Sequence, residues 1–260
     1  MSVSSFSEQH PFRLVGLLEV SVVAVFLGVF LILKRVISAA DSSDIDLLLN
    51  GIAYSMLAVA TAVLLQRLHW WQVAGFQRPA RWSFLLLFWL PMLPLVLNFI
   101  GGLKIAAIEP WRIGVFLMVS LLVGFVEEGI FRGLMVRALY SKGIWTAAVV
   151  STVLFGLAHS VNFALGENVQ AVALQLIYTT TIYGFASAAL VIYTRTIWPI
   201  VGIHALIDFT SWLQAGTTLK TTGVTFGDIF ITVVGSALAI GYGVLLLILA
   251  NRSQRGLSVN

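Results

Sequence analysis

The sequence predicts an all-α polytopic membrane helix bundle with about eight transmembrane helices. Of its 260 residues, 59% are hydrophobic and only 10% are charged, whereas a soluble domain carries roughly 25% charged residues. The apolar residues form runs of about twenty, the length that crosses the hydrocarbon core of a bilayer. Helices are required because lipid offers the backbone no hydrogen-bond partners, and the alternating pattern of a transmembrane β-barrel is absent from the sequence.

The apolar segments follow one another without a polar linker. We therefore predict a single integral-membrane domain over 1–260, with the residues that carry chemistry in 113–214. The first run has the length of a full span and is followed by Lys34 and Arg35, which favours an uncleaved anchor over a signal peptide. The predicted spans are 14–33, 46–66, 82–100, 113–139, 144–160, 169–194, 198–214 and 227–250.

Prolines should shape two of these spans. Pro91 and Pro94 lie inside the third span and are expected to bend it, because each removes a backbone donor. Pro199 lies in the first turn of the seventh span, where proline is tolerated.

The basic residues are distributed unevenly between the two sets of loops. Because cytoplasmic loops are enriched in Lys and Arg, the asymmetry predicts that both termini are cytoplasmic. The bases are scattered singly, so the net charge of +4 does not indicate a nucleic-acid partner. One side carries Arg13, Arg67, Arg78, Arg81, Arg137, Lys142, Arg195, Arg252 and Arg255, and the other carries Lys34, Arg35, Lys104, Arg112 and Lys220.

Ionisable side chains cluster in three of the predicted spans, whereas 82–100 and 169–194 contain no Asp, Glu, His, Lys or Arg. Charged groups at membrane depth are costly and by default mark a functional site. The chain has no cysteine, which excludes disulfides, thiol nucleophiles and Cys-ligated zinc. The clustered residues are Glu127, Glu128, Arg132, His159, His204 and Asp208.

The two adjacent glutamates of span four are expected to have different roles. Glu128 and Arg132 are four residues apart and share a helix face, which predicts a mainly structural ion pair. Without it, Arg132 would be a buried unpaired charge and strongly destabilising. Glu127 points about 100° away and is left free to face a catalytic centre.

Glu127 and His159 are predicted to lie at similar depths. Glu127 comes 15 residues before Lys142 and His159 comes 17 residues after it. If spans four and five turn near 141–143, both side chains lie about 22–26 Å from that turn. A carboxylate beside an imidazole can activate water by accepting its proton, so we expect these two residues to meet.

His204 and Asp208 are four residues apart in span seven and share a face. His204 can donate to a developing oxyanion, and Asp208 can orient the ring or hold the substrate. His204 is only six residues from Trp198, about 9 Å along a helix. For it to reach Glu127, either the turn near 141–143 projects beyond the hydrocarbon or span seven begins deeper.

A zinc site is the alternative use of the same residues. Glu127, His159 and His204 would supply three ligands and leave a fourth position for water. The sequence contains no H-E-x-x-H motif. A metal-independent glutamate mechanism, without a cofactor, is favoured.

Three motifs together resemble the signature of the CPBP family, which includes type II CAAX prenyl endopeptidases and the bacteriocin-processing and immunity (Abi) proteins. They are Glu127-Glu128-x-x-x-Arg132, Phe155-x-x-x-His159 and His204-x-x-x-Asp208, so the resemblance covers about 127–208. It implies eight helices around an intramembrane site that opens to solvent through a polar cavity. By motif position, Glu127 is similar to the catalytic glutamate, His159 to its water-activating partner and His204 to the oxyanion-side histidine.

Asp208 departs from part of this family, because the eukaryotic CAAX enzymes have Asn at its position. A negative charge there disfavours a prenylated CAAX substrate and fits the prokaryote-like branch, whose members would lie in the plasma (inner) membrane. The expected partners are therefore the lipid bilayer and a membrane-embedded or lipidated peptide or protein substrate.

The sequence thus predicts an intramembrane endopeptidase that uses water activated by Glu and His, since no Ser or Thr stands in a nucleophile motif. The zinc-dependent version stays open. A proton-coupled transporter would also bury Glu and His, but no internal repeat supports it. A non-enzymatic membrane adaptor or immunity protein would not need the intact Glu/His/His set.

Overall fold

The structure, a computed structural model, describes residues 9–33, 43–164, 168–215 and 225–257. Within these ranges the chain forms helices, turns and short connections and contains no strand. The predicted all-α polytopic bundle is confirmed. Lys34, Arg35 and Lys220, which enter the prediction of orientation, lie outside the described residues.

Eight helices, α1 to α8, account for most of the described chain. Two of them contain π-helical segments, Glu128–Met135 inside α4 and Thr179–Phe185 inside α6, and a third π-helical segment, Val29–Leu33, directly follows α1. The helices are α1 (Pro11–Gly28), α2 (Ser43–Leu68), α3 (Trp89–Gly101, preceded by the 3-10 helix Trp82–Phe88), α4 (Pro110–Lys142), α5 (Ile144–Ala158, followed by the short helix Val161–Ala164), α6 (Val169–Thr194), α7 (Trp198–Ala215) and α8 (Phe226–Leu257).

Seven of the described helices are long and apolar enough to cross a membrane, and α7 is not among them. The prediction of about eight spans therefore differs from the structure at 198–214. This segment does form a helix of 18 residues. Polar side chains such as His204, Asp208 and Gln214 lower its mean hydropathy.

Helix α4 is the central element of the bundle. α7 packs along one side of it and α2 along another, while α6 packs between α5 and α8. The close approach of α4 and α7 depends on Gly124, because a Cβ atom there would lie 2.6 Å from the carbonyl oxygen of Val201 and 3.2 Å from the Cβ atom of Ala205. Small residues commonly permit such contacts between membrane helices. The contact brings the glutamates of α4, one turn further along, beside α7.

The length of α4 resolves the difference in depth between its glutamates and His204. The helix runs for 33 residues, from Pro110 to Lys142, whereas about 20 residues suffice to cross the hydrocarbon core. The part of α4 that follows Glu128, up to Lys142, is therefore much longer than the part of α7 that precedes His204, which begins at Trp198. A 3-10 turn at Tyr140–Lys142 ends this helix, at the place where the sequence predicted a turn near 141–143, and the length of the helix favours a projecting turn over a deeper start of span seven.

The prolines of α3 are accommodated by a neighbouring helix. The residues ahead of Pro91 form a 3-10 helix instead of continuing the α-helix. Pro91 has no N–H group to donate to the carbonyl of Leu87 four residues earlier. The hydroxyl of Tyr242 from α8 donates to that carbonyl at 2.7 Å. Neighbouring side chains commonly satisfy backbone groups that a proline frees inside a membrane.

Replacement of Gly124 should separate α4 from α7. We expect Gly124→Ala to lower the free energy of unfolding by about 1–3 kcal/mol, because the new methyl group overpacks a close helix contact. Gly114→Ala is the matched control, since no atom lies within 4 Å of the corresponding Cβ position in the same helix. Thermal unfolding of the purified variants in detergent micelles measures the difference. Equal stability of the two variants would contradict this account of the α4–α7 contact.

Candidate active site

The imidazole of His204 lies at the centre of a cluster of carboxylates. Its Nδ1 atom is 2.7 Å from Oε1 of Glu128. Its Nε2 atom is 3.7 Å from Oε2 of Glu127 and 3.6 Å from Oδ2 of Asp208. The structure therefore brings together two helices, α4 and α7, through four of the six residues singled out in the sequence.

Both adjacent glutamates contact the same histidine, which differs from the division of roles expected from their 100° separation. The two ring nitrogens of His204 point in different directions, so Glu127 and Glu128 can each approach one of them. Glu128 also forms an ion pair with Arg132, with Oε2 3.3 Å from Nε. It thus links the guanidinium to the imidazole and is not only the counter-ion of Arg132.

Arg132 is completely enclosed by protein, with 1% of its surface exposed. Its guanidinium lies over the ring of Phe155, with the central carbon 3.8 Å from the ring centroid. One terminal nitrogen donates to the carbonyl oxygen of Tyr183 at 2.7 Å. An arginine at membrane depth requires such partners, and here they come from α4, α5 and α6.

His159 lies at the end of α5 and is held by its own helix. Its Nδ1 atom is 2.9 Å from the carbonyl oxygen of Phe155. If Nδ1 donates in this contact, Nε2 is left as the acceptor of a neutral ring. The ring of Phe155 contacts both imidazoles, with centroid distances of 4.9 Å to His159 and 6.4 Å to His204.

The direct pairing of Glu127 with His159 that we expected is not found. Within the part of the chain that the structure describes, no hydrogen bond or ion pair joins the two side chains. The reason is local, because His159 caps the end of α5 and turns back to the carbonyl of Phe155. Phe155, one turn earlier in its motif, lies against both histidine rings.

The exposure of the carboxylates shows where the cluster opens. The side chain of Glu128 is 0% exposed, that of Glu127 is 13% exposed and that of Asp208 is 30% exposed. Asp208 therefore lies nearest the opening, and Glu128 lies deepest. A substrate that approaches His204 would meet Asp208 and Glu127 before it meets Glu128.

Tyr54 is a site residue that the sequence analysis missed. Its hydroxyl donates to Oε1 of Glu127 at 2.6 Å, across 73 positions of the chain. A weak signal was present, since tyrosine in a membrane helix is enriched at the interface and Tyr54 lies in the middle of α2. Tyr183 of α6 was also missed, and its ring lies 5.2 Å from that of His204.

A metal site was the alternative use of these residues. Among the described residues, no group of three His, Cys, Asp or Glu side chains is arranged to hold a metal ion. Of the proposed zinc ligands, Glu127 and His204 face each other, and His159 is turned toward the carbonyl of Phe155.

The fold and the cluster together define an integral membrane bundle with a Glu/His site inside it. In a comparison with known protein families, residues 109–210 match the family described as Type II CAAX prenyl endopeptidase Rce1-like. The matched region runs from the start of α4 into α7 and contains the cluster. This match confirms the resemblance to the CPBP family that the three motifs predicted. It supports an intramembrane endopeptidase in general. No curated protein and no solved structure matches the chain significantly.

Removal of the buried guanidinium should destabilise the protein strongly. We expect Arg132→Met to lower the free energy of unfolding by about 3–5 kcal/mol, because it leaves Glu128 as a buried carboxylate without its cation. The control is Arg112→Met, which removes a partner of Asp44 at the more exposed start of α4 and should cost about 1 kcal/mol or less. Thermal unfolding in detergent distinguishes them. If Arg132→Met is no less stable than Arg112→Met, the compensating role of Arg132 is wrong.

Proposed function

We propose that the chain is an intramembrane endopeptidase in which Glu127 activates water at the His204 cluster. The observation that carries this proposal is the arrangement of three polar atoms, namely Nε2 of His204, Oε2 of Glu127 and Oδ2 of Asp208. The distances from Nε2, 3.7 Å to Oε2 of Glu127 and 3.6 Å to Oδ2 of Asp208, are longer than direct hydrogen bonds and suit a bridging water or a substrate oxygen. Oε2 of Glu127 is buried and has no hydrogen-bond partner among the described residues.

The chemistry follows from this geometry. Oε2 of Glu127 accepts a proton from water as the water oxygen bonds to the carbonyl carbon of the scissile peptide, which produces a tetrahedral oxyanion. The protonated Glu127 then donates this proton to the leaving nitrogen. The C–N bond breaks and releases a carboxylic acid and an amine. No covalent acyl-enzyme forms.

We assign the stabilisation of the oxyanion to His204. In the imidazolium form both ring nitrogens carry a proton, so Nδ1–H donates to Glu128 at 2.7 Å and Nε2–H is available to the developing negative charge. Because Glu128 is itself held by Arg132, the donor does not have to reorient during the reaction, and preorganised donors of this kind contribute a few kcal/mol. In this mechanism Glu128 and Arg132 orient the ring and do not touch the substrate.

His159 is proposed to orient the water or the leaving group from the side of α5. The contact of its Nδ1 with the carbonyl of Phe155 fixes the ring and leaves Nε2 to act. The ring of Phe155 lies near both histidines, and we assign the two histidines to different steps of the reaction. Asp208, which is the most exposed of the carboxylates, is proposed to contact the substrate and to disfavour a free carboxylate near the scissile bond.

The proposed substrate is a peptide bond in a membrane-embedded or lipidated segment of a peptide or protein. The match to a prenyl endopeptidase family supports a substrate anchored in lipid. The charge of Asp208 argues against the carboxy-terminal tripeptide of a CAAX sequence. The proposed location is the plasma (inner) membrane of a prokaryote, with both termini in the cytoplasm.

The decisive variant is Glu127→Gln, which keeps the side-chain shape and removes the base. We expect it to abolish the release of membrane peptides, with a loss of at least about a hundredfold for a general base. The readout is quantitative proteomics of membrane peptides from cells that produce each form. Glu19→Gln is the control, since Glu19 is another partly buried glutamate but lies in α1, outside the cluster. If Glu127→Gln accumulates normally and still releases the same peptides, the protease proposal is wrong.

Metal dependence is tested separately. We expect purified protein to contain no stoichiometric zinc and to keep its activity after chelation, because the proposed base and oxyanion donor are side chains. Elemental analysis of the native protein and of His159→Ala provides the measurement. Zinc that co-purifies with the native protein and is lost in His159→Ala would overturn the metal-independent mechanism in favour of the zinc alternative.

A further inference from the structure

Tyr54 connects the proposed site to a helix outside the region that matches the family. The match covers residues 109–210, whereas Tyr54 lies in α2. Its hydroxyl donates to Oε1 of Glu127 at 2.6 Å. This is the shortest hydrogen bond made by either of the two glutamates in the described structure, and a short bond from a hydroxyl to a carboxylate is among the stronger neutral-to-charged contacts.

The position of the tyrosine ring is fixed by its surroundings. The ring packs edge-on against Phe26 of α1, with centroids 4.8 Å apart and an interplanar angle of 77°. α2 in turn packs along α4. The hydroxyl of Tyr54 is therefore held against Glu127 by the packing of α1, α2 and α4, and it has little freedom to turn elsewhere.

This contact makes the two oxygens of Glu127 inequivalent. Oε1 is occupied by the hydroxyl of Tyr54. Oε2 faces Nε2 of His204 at 3.7 Å and has no hydrogen-bond partner among the described residues. A carboxylate without the tyrosine would be free to rotate about its last bond and to exchange these positions.

We infer that Tyr54 is a positioning residue that holds Glu127 through Oε1, so that Oε2 is the oxygen that takes the proton from water. The inference rests on the proposed function, since it assumes that Glu127 is the base. Tyr54 does not touch the reacting atoms. It acts by keeping the base in the orientation that the reaction requires, and productive orientation is a large part of catalytic rate.

The test uses a peptide substrate whose sequence is taken from the comparison of cells that produce the native and Glu127→Gln forms. The probe is an internally quenched synthetic peptide that spans a cleavage site lost in cells producing Glu127→Gln, and it is assayed with purified full-length protein in detergent. The variant is Tyr54→Phe, which keeps the ring and its contact with Phe26 and removes only the hydroxyl. The matched control is Tyr242→Phe, which also removes one hydroxyl hydrogen bond, to the carbonyl of Leu87 in a different pair of helices.

We expect Tyr54→Phe to lower kcat about tenfold, the factor that corresponds to one hydrogen bond to a charged group. KM should stay within about twofold, because the hydroxyl contacts the base and not the substrate. Tyr242→Phe should keep the native kcat, whatever its effect on the unfolding temperature. The kcat of Tyr54→Leu should be no more than a few-fold lower than that of Tyr54→Phe, since the hydroxyl is already absent in Tyr54→Phe.

Two results would overturn the inference. The first is a native kcat in Tyr54→Phe, and the second is a loss of kcat that Tyr242→Phe reproduces, which would indicate a general effect of a lost hydrogen bond. Failure of the proposed function itself has a different signature, since Glu127→Gln would then release the same peptides as the native protein. In that case Tyr54 has no base to position, and the inference falls with the function.

Discussion

The structure depends on how three carboxylates are accommodated inside a bundle of apolar helices. Glu127, Glu128 and Asp208 all approach His204, and Arg132 neutralises the deepest of them. Isolated charges of this kind are expensive at membrane depth, and each therefore has to be close to a partner. The close contact of α4 with α7 at Gly124 brings the helix that carries His204 beside both glutamates.

Arg132, which compensates the charge of Glu128, also contacts α5 and α6. It lies in the π-helical segment of α4, and the carbonyl that it contacts belongs to Tyr183 in the π-helical segment of α6. π-helical turns are rare and occur frequently at functional sites. Phe155 of α5 completes the enclosure by stacking on the guanidinium. The residues that surround the proposed reaction are thus braced by a buried cation that takes no part in it.

The fold was predictable from the sequence, and so was the proximity of His204 and Asp208 to the glutamates of α4, but most of the pairing between these residues and the part played by Tyr54 were not. Span lengths and the cost of buried charge identified the six clustered residues. The helical angle between Glu127 and Glu128 suggested separate roles. In the structure, however, each of the two glutamates lies near a different ring nitrogen of His204. His159 was expected at Glu127 from depth alone, whereas its local contact with Phe155 decides its direction. Tyr54 lies 73 positions from Glu127, and no local pattern joins them.

The position of helix α7 depends on its contacts with neighbouring helices. Among the described helices, α7 is not one of those long and apolar enough to cross a membrane. Polar contacts join it to α3, because the amide nitrogen of Asn98 donates to the hydroxyls of Thr210 and Ser211, both at 2.9 Å. These contacts lie within one turn of Asp208. The helix that carries His204 and Asp208 is therefore positioned mainly by α3 and α4, and α3 lies outside the region of the three motifs.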